Sequence, residues 1–203
     1  MKPENVIVTS FRLSAVGWFT GVLSEIHKAI YGDPIRWGFE ISKFECTRER
    51  RPLPMGWNTT WDANPLTLAE RGFDKVLCLV RNKLDIFEAC CWYDKQKTLS
   101  EILTEAVAKK DYGYVESIIE GYDRLYTTQY VHDKLMYVYI DLLNFNAVRG
   151  FKEVCEFLEF DMKKFPVIIP IKVEKDWEVY GGYNKGLKLD SQLSKLKEAR
   201  KNG

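Results

Sequence analysis

The residues best suited to chemistry lie at two junctions. Thr9-Ser-Phe-Arg-Leu-Ser-Ala-Val-Gly-Trp18 joins a short β-branched run to an amphipathic stretch. A tight turn there aims successive backbone N–H groups at one point, and the dipole of the helix it opens adds potential that favours phosphate. The alternative is a strand–helix connection with no ligand. The turn lacks the G-x-x-x-x-G-K-[ST] pattern, so an ordinary nucleoside-triphosphatase loop is not supported. Arg81 follows the apolar run Lys75–Val80 directly and puts a guanidinium at a strand's carboxyl end. It reads equally as a phosphate contact or as a surface ion pair with Asp85. Trp57 and Trp61 stand in a long polar segment, where they could stack on a base or acceptor, or simply pack the segment onto the domain.

Stepping outward, the surrounding pattern alternates strands with helices. Glu4–Thr9 reads as a buried strand, Ser10–Gly17 as the turn, and Trp18–Tyr31 as a helix with apolar residues at Phe19, Val22, Leu23, Ile26 and Ile30, ended by Gly32-Asp33-Pro34. Arg36–Cys46 reads as a second strand and Thr47–Pro65 as a long irregular loop. Lys75–Val80 is the clearest buried strand and leads into a helix over Leu84–Tyr93. Thr98–Tyr130 is a helical pair broken at Asp111–Gly113, followed by a strand at Leu135–Ile140 and a helix at Val148–Phe160. Pro166–Val173 suits an extended edge or docked loop, Tyr180–Gly186 a glycine turn, and Asp190 begins a last helix to about Lys201. The expectation is one α/β domain over residues 1–203, with a mainly parallel sheet and helices on both faces; 98–130 form a helical segment within it and 174–203 a C-terminal loop and helix. Ligands in such sheets bind at the carboxyl ends of strands, so the strands at Val6–Thr9 and Lys75–Val80 should be adjacent, parallel and central.

Composition narrows the function classes. Lys+Arg 30 against Asp+Glu 29 gives no charge-based support for nucleic-acid or anionic-membrane binding. Val6–Leu23 is fairly apolar, but Arg12 interrupts it, so neither a signal peptide nor a membrane span is expected. Five cysteines without C-x-x-C spacing and two histidines make no zinc cluster. Reduced, mostly buried thiols in a cytoplasmic-type compartment are the expectation.

Three segments, in order, resemble the PAPS-dependent (P-loop) sulfotransferase family. Val6–Trp18 resembles the 5′-phosphosulfate loop, a strand followed by Pro-Lys/Arg-Ser-Gly-Thr-Thr-Trp/Leu. Lys75-Val-Leu-Cys-Leu-Val-Arg-Asn-Lys-Leu-Asp85, running on to Tyr93, resembles the 3′-phosphate segment, a strand ending in Val-Arg-Asn/Asp-Pro-x-Asp. Met136–Leu143 with Phe151–Leu158 resembles the Tyr-Glu-Asp-Leu strand and its Phe-Leu helix. The resemblance implies a P-loop NTPase/sulfotransferase-like fold and transfer of a sulfuryl group from PAPS to a hydroxyl or amine acceptor. No metal is expected. Ser10, Arg12, Leu13, Ser14, Ala15, Val16, Gly17 and Trp18 would line the 5′ site. Arg81, the Ala89 position, Lys185 and Gly186 would line the 3′ site, the last two standing for the family's Arg-Lys-Gly loop or forming a plain glycine turn.

The departures bear on chemistry. Aligned on Ser14 and Trp18, the loop's cationic position is Leu13 and the cation, Arg12, comes one residue early. Ala15 and Val16 replace Gly and Thr, Lys83 replaces the Pro, and Ala89 replaces a phosphate-binding Ser. Many members carry a histidine base after the second or third strand, yet His27 lies in the first helix and His132 precedes a late strand. Glu45 or Glu49, beside Arg48, Arg50 and Arg51, is the substitute candidate, against the plainer reading of solvated carboxylates. Arg12 would then take the missing cation's catalytic role. The alternatives are a catalytically degenerate nucleotide-binding or protein-interaction module of the same fold and, last, a P-loop kinase, for which Gly17-Trp18 stand where Lys-Ser/Thr is needed. The acceptor and oligomeric state are not legible.

Overall fold

The computed structural model of the chain describes residues 3–48, 52, 53, 55–166 and 169. Its strands are β1 (Val6–Ser10), β2 (Trp37–Glu40), β3 (Trp57–Trp61), β4 (Lys75–Val80) and β5 (Leu135–Tyr139), paired in parallel in the order β2-β3-β1-β4-β5. Parallel neighbours need crossovers. These are α1 (Val16–Tyr31) after β1, α2 (Lys43–Thr47) after β2 and α3 (Pro65–Arg71) after β3. After β4 come α4 (Lys83–Lys95), α5 (Leu99–Lys109) and α6 (Gly113–Tyr126); α7 (Ile140–Phe145) and α8 (Ala147–Phe157) follow β5.

Strand period sorts the core into two layers. Val6, Val8, Leu77 and Leu79 pack with α1 and α8 on one face. Ile7, Val76, Cys78 and Val80 pack with α3, α4, α5 and α6 on the other. The chain is therefore α/β, with a parallel sheet covered on both faces. As expected, β1 and β4 are adjacent, parallel and central; Ser10 lies opposite Leu79, so the turns after both strands leave the same edge of the sheet. The helical pair is also present, broken between Lys109 and Gly113.

Two readings need correction. The segment Thr47–Pro65 contains β3, inserted between β2 and β1, with Asn58, Thr59 and Thr60 buried. Its polar centre hides the strand. Burial of Asn58 is tolerated because its Nδ2 donates to the Met55 and Gly56 carbonyls at 3.1 and 3.2 Å. The second strand is four residues long, not Arg36–Cys46. It ends where Ser42 begins α2 with a capping box: Ser42 Oγ accepts from Glu45 N–H at 3.3 Å, and Glu45 Oε2 accepts from Ser42 N–H at 3.3 Å. Trp57 lies edge-on to Trp37 at 5.6 Å within the core facing α1, so packing accounts for it.

All five cysteines are free and buried, and burial pushes the Cys91 thiol up to about 11, far from a reactive thiolate. Among the described residues no helix is long and apolar enough to cross a membrane.

Candidate functional site

The turn after β1 is built by backbone geometry rather than by glycine. Leu13 and Ala15 are left-handed, at φ 63° and 61°, on either side of Ser14. Such conformations cost an L-residue roughly 1–2 kcal/mol each and are retained where surrounding structure forces them. Ala15, at the position where the resembling family has glycine, is the N-cap of α1 and supplies no side-chain cap; nor does the helix have an acidic residue in its first turn. The first N–H groups of a 16-residue helix thus meet neither a capping oxygen nor a carboxylate, which leaves their dipole end suited to an anion. Ser10 Oγ is buried without a hydrogen-bond partner. Ser14 Oγ is buried close enough to the Tyr126 hydroxyl to interact with it, but meets no partner at sound hydrogen-bond geometry.

Arg81 stands behind this turn. It is 7% exposed, and its Nη1 donates to the Leu13 carbonyl at 3.0 Å. The residue at the end of β4 therefore reaches the turn after β1, as the parallel register allows, and brings a buried cation to it. Ala89, fully buried on α4, packs beneath Leu13. Val16 is buried, and Trp18 meets Phe151 edge-on at 5.8 Å.

Helix α6 braces the same turn, which the sequence did not indicate. Tyr126 Oη accepts from Phe11 N–H at 2.7 Å and donates to the Leu79 carbonyl at 2.6 Å, tying the start of the turn to the end of β4. Burial raises its pKa, so the donating proton is retained. Tyr122 Oη donates to the Arg81 carbonyl at 2.9 Å. Just before them in the helix, Gly121 lets α6 approach: a Cβ there would meet Phe11 Cε2 at 2.7 Å. Tyr126→Phe strands a buried N–H and a buried C=O and should lower the unfolding free energy by about 2 kcal/mol, read by urea denaturation. A change below about 0.5 kcal/mol would show that the hydroxyl does not hold the turn.

The proposed catalytic residues are scattered. Arg12 Nη1 is paired with Asp94 Oδ2 at 2.9 Å, and Asp94 also accepts from Tyr114 Oη at 2.9 Å. Its guanidinium is thus held toward the end of α4. Glu45 is exposed and occupied by the α2 capping box. Glu49, Lys185 and Gly186 lie outside the described residues, as do the Tyr180–Gly186 turn and the last helix. His27 Nδ1 lies 2.6 Å from the Asp33 carbonyl in an aromatic cluster with Tyr31, Trp57 and Phe160, a packing role.

One carboxylate that the sequence reading passed over stands at the site. Asp62, at the carboxyl end of β3, is half-buried and left-handed at φ 54°. Its N–H donates to the Ser10 carbonyl at 2.9 Å, and the next residue, Ala63, accepts from Thr9 Oγ1 at 2.8 Å. Asp62 Oδ1 is buried with no partner. Burial raises the carboxyl pKa, with Arg124, Lys43 and Arg12 opposing the shift. The available signal was Asn64-Pro65, an N-cap followed by the favoured first residue of a helix, which marks Asp62 as the end of a preceding element.

No family model and no curated protein matches the chain. Among solved structures it is similar to a mouse sulfotransferase, SULT7A1, complexed with PAP, at 17% identity and a TM-score of 0.47, over 77% of this chain and 59% of that one. A sulfotransferase from Alicyclobacillus acidocaldarius is similar at 12% identity and a TM-score of 0.44, over 95% of this chain and 96% of that one. The chain thus spans less than two thirds of the mouse protein.

Proposed function

We propose that this chain binds PAPS at the carboxyl end of its sheet and transfers the sulfuryl group to a hydroxyl or amine acceptor. The observation that carries the reading is the turn after β1: an uncapped helix N-terminus, opened by left-handed Leu13 and Ala15 and backed by the buried guanidinium of Arg81. Backbone N–H groups at the start of α1 are suited to the 5′-phosphosulfate and Arg81 to the 3′-phosphate. Sulfuryl transfer needs little more from a protein than in-line placement and stabilisation of charge on the bridging oxygen. Among the described residues no group of three His, Cys, Asp or Glu could hold a metal ion, and this reading requires none.

The Arg12–Asp94 pair favours a second reading, a nucleotide-binding module that has lost catalysis, because it occupies the turn's own cation. Calorimetry with adenosine 3′,5′-bisphosphate (PAP) and with ATP plus magnesium tests the binding step. PAP should bind without metal in the range of about 1 μM to 1 mM, typical of enzyme substrates. Binding of ATP only, and only with magnesium, would point to phosphoryl transfer; no binding of either would overturn both nucleotide readings.

A further inference from the structure

We infer that Asp62 is the catalytic base of this site, taking the proton from the acceptor as the acceptor attacks the sulfuryl group. This rests on the sulfuryl-transfer reading above and names a residue for a role that neither histidine of the chain is placed to fill.

Placement is the first ground. β1 has β4 on one side and β3 on the other. The turn after β1 is thus flanked by Arg81 from β4 and by Asp62 from β3, a cation on one side and a carboxylate on the other. Rigidity is the second. Asp62 N–H is bonded to Ser10, Ala63 to Thr9, and Asn64 Oδ1 accepts from Leu66 and Thr67 N–H at 2.9 and 3.2 Å. Three successive residues are pinned, two of them directly to the end of β1, while Asp62 Oδ1 remains buried and unpartnered. A buried polar atom without a partner is costly in a folded protein and calls for a role. The left-handed backbone adds a local strain of the sort found at functional sites.

The surroundings suit proton transfer better than metal binding. The charged groups acting on Asp62 are cations from three elements: Arg124 on α6, Lys43 on α2 and Arg12 in the turn. They repel a divalent ion and draw an acidic acceptor or the phosphosulfate. Burial outweighs them and moves the carboxyl toward neutrality, which makes it a better base near physiological pH.

In the proposed step the acceptor oxygen forms a bond to sulfur. The bond from sulfur to the 5′-phosphate oxygen breaks, and its electron pair stays on that oxygen, giving PAP. The acceptor proton passes to Asp62 and then to solvent, so the products are the sulfated acceptor, PAP and one proton. Water can replace the acceptor, giving inorganic sulfate.

The test uses the full chain and Asp62→Asn, with [35S]PAPS, a panel of phenols and amines, and acceptor-free hydrolysis. The variant should lose turnover by about 10²- to 10³-fold while its affinity for PAP stays within about twofold of the parent's. The parent's kcat/KM should fall at acid pH along a limb lying above the ordinary carboxylate range, and that limb should vanish in the residual activity of the variant. The variant should also fold. A raised folded-state pKa means that the charged carboxylate is penalised in the native state, so stability is greatest below the ordinary Asp pKa and declines as pH rises through the raised value. Removing the charge should therefore leave stability at neutral pH equal or higher, and Asn adopts the left-handed region readily. Turnover preserved in Asp62→Asn, with PAP bound, overturns the role of Asp62 and leaves the sulfuryl-transfer reading standing. A parent that binds PAP yet neither transfers nor hydrolyses PAPS overturns both the role and catalysis. A parent that binds no PAP overturns the reading itself. Magnesium-dependent nucleotide binding lost in the variant would make Asp62 a metal anchor and overturn the proposal.

Discussion

Arg81→Ala is expected to weaken binding of PAP by about one to two decades, the loss of a charge-assisted phosphate contact worth roughly 1.5–3 kcal/mol, and to weaken binding of 5′-AMP much less. Structure adds a second consequence. Arg81 Nη1 donates to the Leu13 carbonyl within the turn, and the Arg81 carbonyl accepts from Tyr122. Alanine keeps the second bond and removes the first, leaving a carbonyl without its charged donor, so unfolding free energy should also fall by about 2 kcal/mol. Two readouts separate these effects. Calorimetry well below the melting temperature reports affinity for each nucleotide, and urea denaturation without ligand reports stability. Arg81→Lys keeps the charge without the planar fork and should recover only part of the affinity. Equal losses for PAP and AMP would show that Arg81 shapes the turn and does not read the 3′-phosphate.

The bond to Leu13 explains why sequence reasoning could place Arg81 but not describe it. A strand ending in a cation is visible along the chain, because Lys75–Val80 is continuously apolar and Arg81 closes it. The Leu13 carbonyl is 68 positions away, and only the pairing of β1 with β4 brings the two together. The same division runs through the fold. β1 and β4 announce themselves as continuous apolar runs buried on both faces, and the amphipathic α1 and α6 by helical period. β3 does not, because its buried centre, Asn58, Thr59 and Thr60, is polar, and the backbone carbonyls that satisfy Asn58 Nδ2 are displayed by no local pattern. With β3 hidden, Asp62 is one loop carboxylate among several along the chain, and Glu45, beside the arginine cluster, stands out although it caps α2. Arg12 shows the limit from the other side. Its position in the turn was legible, but its pairing with Asp94 depends on the packing of α4 against that turn.

Phe151→Ala is expected to produce the largest loss of stability, and it tests how far the site depends on the opposite layer of the protein. Phe151 on α8 is fully buried, stacked on Phe19 at 5.6 Å with an interplanar angle of 18° and edge-on to Trp18 at 5.8 Å. Both partners belong to α1, the helix whose uncapped N-terminus ends the turn after β1. Truncation removes the ring's burial and leaves a cavity between two helices that are each held to the sheet, so little collapse can fill it. A cost of about 3–5 kcal/mol follows, and at about 2–4 °C per kcal/mol for a domain of this size the melting temperature should drop by roughly 6–20 °C. Phe151→Leu, which retains most of the volume, should cost about 1.5 kcal/mol or less. Because α6 and Arg81 hold the turn from the other face through Tyr126 and the Leu13 carbonyl, PAP affinity measured well below melting should change by less than about threefold in Phe151→Ala, under 1 kcal/mol. A loss of affinity as steep as that of Arg81→Ala would mean that the seating of α1 on α8, rather than the bracing by α6 and β4, sets the geometry of the turn.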